Sequence, residues 1–289
     1  MRGSLAVILA LAACGGTSRP NGNSGMDAPS GTADGPGNGS GSGQQGCGGV
    51  NDCYSVYAHS NTTLYVVDLM AKTLQTVGNF NTPMSDVITD LAVAPDNTIY
   101  VISNTAIYTA DANDGHTTKV GSLAACGTKG VALTTLPNGD IWTGDFSGAL
   151  CKIDVSSGTP TVGAPVTMGS GMALSGDLVA VSDGTVYGTA YKLSDGTNMG
   201  TQMSNVLVKI DLSNGAVTPM GATGYPKLFG TSFAIGQVFG FTHDGTGKVV
   251  TIDPTTGAST LFATFTDPST HQPISFAGAG VNSLVPVIE

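Results

Sequence analysis

Methionine pairs are prominent among the residues of this sequence that could do chemistry. Met168 and Met172 lie in one glycine-rich stretch, and Met199 and Met203 lie in a later one. Four thioether sulfurs on one surface would suit a soft ion such as Cu(I). They would also suit packing or an adaptable apolar contact, because methionine is flexible and polarizable. We favour packing or partner binding over a metal, and we include Asp195 in the same candidate ligand-binding surface.

Acid–base chemistry in the folded part of the chain would have to use aspartate and histidine. Of the 20 acidic residues, 19 are Asp, and the single Glu is the terminal Glu289. The four histidines show no metal-ligand spacing and no distinctive Ser/His/Asp order; they are His59, His116, His243 and His271. The sequence therefore predicts no particular catalytic residue, no metal and no cofactor, although two Asp could still form an acid–base pair.

Cysteine usage indicates an oxidising compartment. Setting Cys14 aside leaves four cysteines, an even number that disulfides could use completely. Four cysteines allow three pairings, and we favour Cys47 with Cys53, which closes a small ring, and Cys126 with Cys151. A metal site is the alternative, but no C-x-x-C spacing or Cys/His cluster of the zinc type is present.

The first fourteen residues, MRGSLAVILALAAC, predict export. Arg2 supplies a positive start, and the apolar run that follows is too short to span a bilayer as a mature helix. The order of charge, apolar run, small residues and cysteine resembles the lipobox of bacterial lipoproteins, in which the chain is cut before the cysteine. The resemblance implies a signal peptide at 1–13, acyl chains such as palmitate on Cys14, and, from Gly15, an outer-membrane location. An ordinary signal peptide is the alternative.

Composition separates a linker from a folded domain. Residues 14–46 are dominated by Gly, Ser, Pro and Asn, so they cannot bury enough apolar surface to offset the entropy of ordering. We expect a disordered tether with a root-mean-square reach of roughly 30 Å, followed by a folded domain at 47–289. The net charge of -10 argues against a nucleic-acid partner, which requires a basic surface.

One phrase repeats along the folded domain. It is an alternating strand ending in Asp, a turn, and a second strand ending near Val-Gly, as in LVKIDLSNGAVTPMG. The marker acids are spaced by 43, 43, 57 and 42 residues; they are Asp68, Asp111, Asp154, Asp211 and Asp253. Four repeats have Gly at the fourth position after the acid, where a positive φ is expected, and the first repeat has Lys72 there. Alternation bounded by turn residues is typical of strands and hairpins.

Four strands in a unit of about 43 residues predict a propeller blade. The repeats resemble those of generic β-propellers of the NHL-like and lactonase-like type, without matching one enzyme family. We therefore expect an all-β propeller of four-stranded antiparallel blades, with five blades, or six if the longest interval hides a degenerate one. The last residues, SFAGAGVNSLVPVIE, read as the opening of a blade whose other strands lie at the N-terminal start. The two ends should share that blade and close the ring.

The longest loops indicate where a ligand could bind. In a blade with strands A to D, the B–C turns and the D–A connections emerge on the same face. The surplus of the 57-residue interval falls at Lys192–Ser204, a B–C loop, and we expect Gly163–Gly176 to be the neighbouring D–A connection. Loops added to a rigid scaffold usually carry binding, so the methionine pairs and Asp195 become the candidate surface.

The sequence thus predicts a lipid-anchored propeller of the bacterial cell envelope, a monomer that binds a protein, glycan or peptide. One alternative is a hydrolytic or lyase-type propeller enzyme, lactonase-like in shape, that uses Asp and His. Another is a structural component of the envelope. A cluster of Asp and His at the mouth of the central channel would favour the enzyme, whereas an exposed apolar loop patch would favour binding.

Overall fold

The computed structural model describes residues 54–124, 126–127, 129–195, 205–285 and 287. Within these ranges the chain forms five antiparallel sheets, arranged as the blades of a propeller, and one short 3₁₀ helix at Leu193–Asp195. The predicted all-β fold is confirmed, with five blades rather than six. No helix in this part of the chain is long and apolar enough to cross a membrane. The predicted signal peptide and tether lie outside the described residues.

Each blade runs from an inner strand A at the channel to an outer strand D. Blade 1 contains β21 (Gly278–Gly280), β1 (Ser55–His59), β2 (Thr63–Asp68) and β3 (Thr73–Asn79). Blade 2 contains β4 (Ile88–Val93), β5 (Ile99–Ser103), β6 (Ala106–Ala110) and β7 (Thr117–Ser122). Blade 3 contains β8 (Gly130–Thr135), β9 (Ile141–Asp145) and β10 (Ala149–Asp154), with an outer strand split into β11 (Thr161–Val162) and β12 (Val166–Thr167).

Blades 4 and 5 complete the ring. Blade 4 contains β13 (Met172–Ala180), β14 (Val186–Lys192), β15 (Val206–Ile210) and β16 (Val217–Ala222). Blade 5 contains β17 (Leu228–Ala234), β18 (Gln237–Thr242), β19 (Lys248–Ile252) and β20 (Ser259–Thr264). The inner strand β13 is buried along its whole length, while the outer strands β3 and β7 are largely exposed. Apolar side chains from facing blades form the cores, as where Phe241 of blade 5 meets Phe276 of the chain entering blade 1. Burial of these faces is the main stabilising contribution.

The two ends of the chain share blade 1, as predicted. The C-terminal part supplies only the inner strand β21, which pairs with β1 through Tyr57 and Gly280. The residues after β21 then reach other blades. The Asn282 side-chain amide donates to the Ala94 carbonyl at 3.0 Å, and the Ser182 amide donates to the Val285 carbonyl at 3.3 Å. The C-terminal segment therefore connects blades 2 and 4 at this end of the channel.

The repeated Asp-ended turns have the predicted chemistry. The Asp211 carboxylate accepts a hydrogen bond from the Ser213 amide at 2.9 Å, and Asp253 accepts one from Thr255 at 2.7 Å. The glycine at the fourth position has a φ between 71° and 75° in the four repeats that contain it. Lys72 adopts the same left-handed conformation, with a φ of 54°, although a side chain is disfavoured there. The turn geometry is thus imposed by the blade.

The sequence predictions for the cysteines and for one loop have different outcomes. The Cys126–Cys151 disulfide is present and joins the connection between blades 2 and 3 to β10; Cys14, Cys47 and Cys53 lie outside the described residues. The prediction that Gly163–Gly176 is one long connection is wrong. Its Val166–Thr167 forms β12, which pairs with the edge of β10, and β13 already begins at Met172. The Gly-rich composition did not predict these two strands. Pairing with a neighbouring strand, and not local propensity, selects the extended conformation here.

Candidate ligand-binding site

The propeller has two different faces. The turn face carries the A–B and C–D turns, including all five marker acids, and the mouth face carries the B–C turns and the D–A connections. A cavity of about 200 Å³, here called the mouth cavity, opens at the centre of the mouth face. Every blade contributes a residue of its inner strand or of the connection that enters it; these are Ala277, Ile88, Val131, Gly176 and Phe229. The cavity is therefore a product of ring closure.

The B–C turns supply four further residues of its wall. Asn61, Asn104, Phe146 and His243 come from the turns of blades 1, 2, 3 and 5. The Phe229 ring stacks on the His243 ring with centroids 4.7 Å apart and planes 11° from parallel, and Phe146 lies 6.5 Å from Phe229. This wall is aromatic and largely apolar, which suits a ring or a branched aliphatic group.

Charge at the mouth cavity is positive, although the chain as a whole is acidic. Among the described residues that line it, Lys129 carries the one permanent charge and no carboxylate is present. Burial lowers the pKa of His243, so the neutral ring is favoured. Its Nδ1 lies 2.9 Å from the Phe276 carbonyl oxygen. Because a carbonyl can only accept, Nδ1 must carry the proton and Nε2 is left as an acceptor. The cavity can thus bind an apolar group with a negative charge beside it.

Two buried carboxyl groups lie beneath the cavity. Asp90 of blade 2 and Asp177 of blade 4 are fully buried and hydrogen-bonded to each other. Burial, and then the facing Asp177 carboxylate, raises the pKa of Asp90, and burial raises the pKa of Asp177. Two carboxyl groups can share a hydrogen bond only when one is protonated. At neutral pH this pair therefore retains a proton.

His59 is the third buried titratable group at the centre. Burial lowers its pKa to about 4, so the ring is neutral. Its Nδ1 donates to the Ser60 carbonyl at 2.7 Å, and its buried Nε2 has no hydrogen-bond partner among the described residues. A Cβ placed on Gly278 would lie 2.4 Å from this Nε2 and 2.2 Å from the Asp90 Oδ1. Only glycine leaves room for both polar groups at this position.

An Asp/His cluster thus exists in the channel, but it is sealed from the cavity. Asp90 accepts the Leu133 amide at 2.6 Å, and Asp177 accepts the Thr231 amide at 2.8 Å. These bonds occupy the carboxyl oxygens in joining inner strands of neighbouring blades. Within the described residues, no group of three or more His, Cys, Asp or Glu is placed to hold a metal ion.

The two predicted methionines that the structure describes do not lie on the surface. Met168 and Met172 are 3% and 1% exposed and belong to the core between blades 3 and 4, so the expectation that they form an exposed patch is corrected. Both methionines pack in this core, Met168 directly after β12 and Met172 at the start of β13. Asp195 ends the 3₁₀ helix of the long B–C loop. Met199 and Met203 lie outside the described residues, and ligand binding by them remains a prediction.

A larger depression of about 570 Å³ opens on the turn face between blades 3 and 4. Its acidic groups are already engaged: Asp140 pairs with Lys152 at 2.7 Å, and Asp211 accepts bonds from its own turn. It collects residues from two blades only. We therefore place the candidate site at the mouth cavity.

Sequence reasoning named His243 among the four histidines without placing it in a site, and it missed the other residues of this cavity. Most of them occupy equivalent places in their repeats, either entering the inner strand or following strand B. Phe229 and His243 belong to the shortened repeat of blade 5, where the pattern was hardest to align. An alignment of the repeats would place these residues in two columns, one at the entry to the inner strand and one after strand B.

Comparison with known proteins gives the fold alone. No protein-family model matches the chain, and no curated protein matches it. Among solved structures, a chain of the nidogen/laminin complex is 13% identical, with a TM-score of 0.47, and the match covers 79% of this chain and 98% of that one. Virginiamycin B lyase from Staphylococcus aureus is 15% identical, with a TM-score of 0.40, covering 76% of this chain and 73% of that one.

Hydrazine synthase from Kuenenia stuttgartiensis is 13% identical, with a TM-score of 0.41. That match covers 69% of this chain and 59% of the other, so this chain spans less than two thirds of that protein. These similarities are to β-propeller architecture. The assignment of the fold depends on the sheet order of this chain itself.

Proposed function

We propose that this chain is a binding module of the bacterial cell envelope, held to a membrane through acyl chains on Cys14. Its mouth cavity binds an apolar side chain of a protein or peptide partner, next to an acidic group of that partner. The observation that carries the proposal is the convergence of all five blades on one apolar cavity whose permanent charge is that of Lys129. Binding sites are typically concave and mostly apolar, with a few placed polar groups.

A macromolecular partner is favoured over a small molecule because apolar surface continues outside the cavity. Val87 lines the cavity and is 42% exposed, and Met84 of the same connection is 98% exposed. An exposed methionine in a connection that also lines an apolar cavity is available for a partner to cover. A ligand small enough to fit in the mouth cavity of about 200 Å³ would leave the Met84 side chain exposed to water.

The hydrolytic or lyase alternative has a specific observation in its favour, the buried Asp90, Asp177 and His59. Their side chains are fully buried, and the two carboxyl groups are held by backbone amides of the inner strands. A substrate could reach them only if the floor of the cavity moved. We therefore propose a structural role for these acids and binding at the surface above them.

Ligand-observed NMR with 3-phenylpropanoate tests the proposal, because this probe combines a benzene ring with a carboxylate. We expect saturation transfer to its ring protons, and weaker transfer to the neutral 3-phenylpropanamide. Phe229→Ala should abolish the transfer, because it removes the wall of the cavity. Phe262→Ala is the matched control on the outer strand of the same blade and should leave the transfer unchanged. Saturation transfer at the wild-type level in both variants would show that the mouth cavity is not the site.

A further inference from the structure

A polar groove of about 410 Å³ begins at the edge of the mouth cavity and runs between blades 5 and 1. Asn61 and His243 line both the cavity and the groove, so the two spaces lie next to each other. Most of the other lining residues carry hydroxyl, amide or carboxyl groups, and Pro273 and Ile274 are the apolar ones among them. A ligand in the cavity could therefore extend into a strip of different chemistry.

The carboxylate in this groove, that of Asp267, already accepts hydrogen bonds from other residues of the chain. The Asp267 carboxylate accepts the Tyr65 hydroxyl at 2.7 Å and the Ser269 amide at 2.9 Å. In contrast, the side chains of Gln272 and Ser275 make no hydrogen bond to the described residues, and neither does that of Asn61. Their donors and acceptors are unused in this structure.

We infer that the groove binds the backbone of an extended peptide segment of the partner whose apolar side chain occupies the mouth cavity. The inference rests on the proposed function and adds the class of ligand to it. The amides of Asn61 and Gln272 each offer a donor and an acceptor, which match the N–H and C=O of a peptide group. His243 Nε2 adds an acceptor for a peptide N–H at the point where the cavity meets the groove.

A glycan fits the groove less well. Its aromatic lining residue other than His243 is Tyr65, which is 3% exposed and uses its hydroxyl on Asp267. The groove therefore presents no tyrosine face on which a sugar ring could stack. Peptide amides need no such face, because hydrogen bonds to the exposed amides suffice.

Isothermal titration with three probes tests this inference. The probes are 3-phenylpropanoate, which fills only the cavity, and the tetrapeptides acetyl-Ser-Ser-Phe-Asp-amide and acetyl-Asp-Phe-Ser-Ser-amide, which run in opposite directions. We expect one tetrapeptide to bind at least about tenfold more tightly than 3-phenylpropanoate, as two added hydrogen bonds would allow. The double variant Gln272→Ala/Ser275→Ala should remove that gain and leave 3-phenylpropanoate binding unchanged. Gln75→Ala, on the exposed outer strand β3, is the matched control and should change nothing.

The outcomes separate this inference from the proposed function. If 3-phenylpropanoate binds but neither tetrapeptide gains affinity, the groove inference is wrong and the cavity remains the site. If no probe binds, both fail. If a disaccharide such as cellobiose binds the wild type and binds the double variant more weakly, the ligand of the groove is a glycan and not a peptide.

Discussion

The carboxyl groups of Asp90 and Asp177 are hydrogen-bonded to each other across the centre of the ring, although they belong to the non-adjacent blades 2 and 4. Asp90 also binds the Leu133 amide of blade 3. Asp177 binds the Thr231 amide of blade 5 and, at 3.4 Å, the Ala279 amide of blade 1. One acid pair and its proton thus connect the inner strands of all five blades.

This pair should make stability depend on pH. Because burial raises both folded pKa values, the folded state keeps a proton that the unfolded chain releases near pH 4. The stabilisation is present below that pH and is lost as pH rises through the folded pKa. Between pH 7 and about 8, which is the raised pKa of Asp177, the free energy of unfolding should fall by up to about 1.4 kcal/mol per pH unit for each retained proton.

Urea unfolding at a series of pH values measures this slope. Asn cannot ionise, so Asp90→Asn should reduce this slope between pH 7 and 8. Its amide has one oxygen where the Asp90 carboxyl has two, which accept the Leu91 and Leu133 backbone amides. Asp183→Asn, in an exposed turn, is the control and should keep the wild-type slope. Identical slopes in wild type and Asp90→Asn would show that the pair holds no proton.

Ring closure through the C-terminal segment gives a second prediction. The buried Asn282 amide donates to the Ala94 carbonyl at 3.0 Å and to the Asn97 side chain at 2.8 Å. Asn282→Ala should lower the free energy of unfolding by about 2 kcal/mol, because buried acceptors lose their donor. Asn113→Ala, which alters an exposed turn, should cost less than about 0.5 kcal/mol. If Asn282→Ala and Asn113→Ala lowered the free energy of unfolding equally, the hydrogen bonds of Asn282 would not contribute to ring closure.

The disulfide gives a third prediction. Cys126 and Cys151 are 25 residues apart, so their bond restricts a loop of the unfolded chain. Replacing both by Ala should cost about 3 kcal/mol of unfolding free energy. It should also weaken 3-phenylpropanoate binding, because Cys126 holds the connection that presents Lys129 to the cavity. A wild-type protein that is equally stable with and without reductant would contradict this account.

Membrane attachment gives a fourth prediction. The wild-type chain expressed in a bacterial host should enter the detergent phase on Triton X-114 partitioning, because acyl chains on Cys14 bury methylene groups. Cys14→Ser should leave the protein in the aqueous phase or retain it with its signal uncleaved. Recovery of the wild type wholly in the aqueous phase would overturn the lipobox interpretation.

The fold was more predictable than the site for a physical reason. The repeat around Asp211 and Asp253 is local, since each acid binds amides only a few residues ahead, and the period of the pattern therefore predicts blades. The mouth cavity is non-local, because Phe229 and His243 become neighbours of Val131 only after the ring has closed. Likewise, Met168 and Met172 resemble loop residues in sequence, and their burial depends on a neighbouring blade.

The most direct test of the central claim is to map 3-phenylpropanoate onto the ¹⁵N-labelled domain by amide chemical shifts. The account predicts that the largest shifts occur around the mouth cavity, at Thr89, Val131 and Phe229, and that they disappear in Phe229→Ala. Shifts concentrated instead at Lys209 and Ser213, in the depression between blades 3 and 4, would place binding on the turn face and contradict the proposed site.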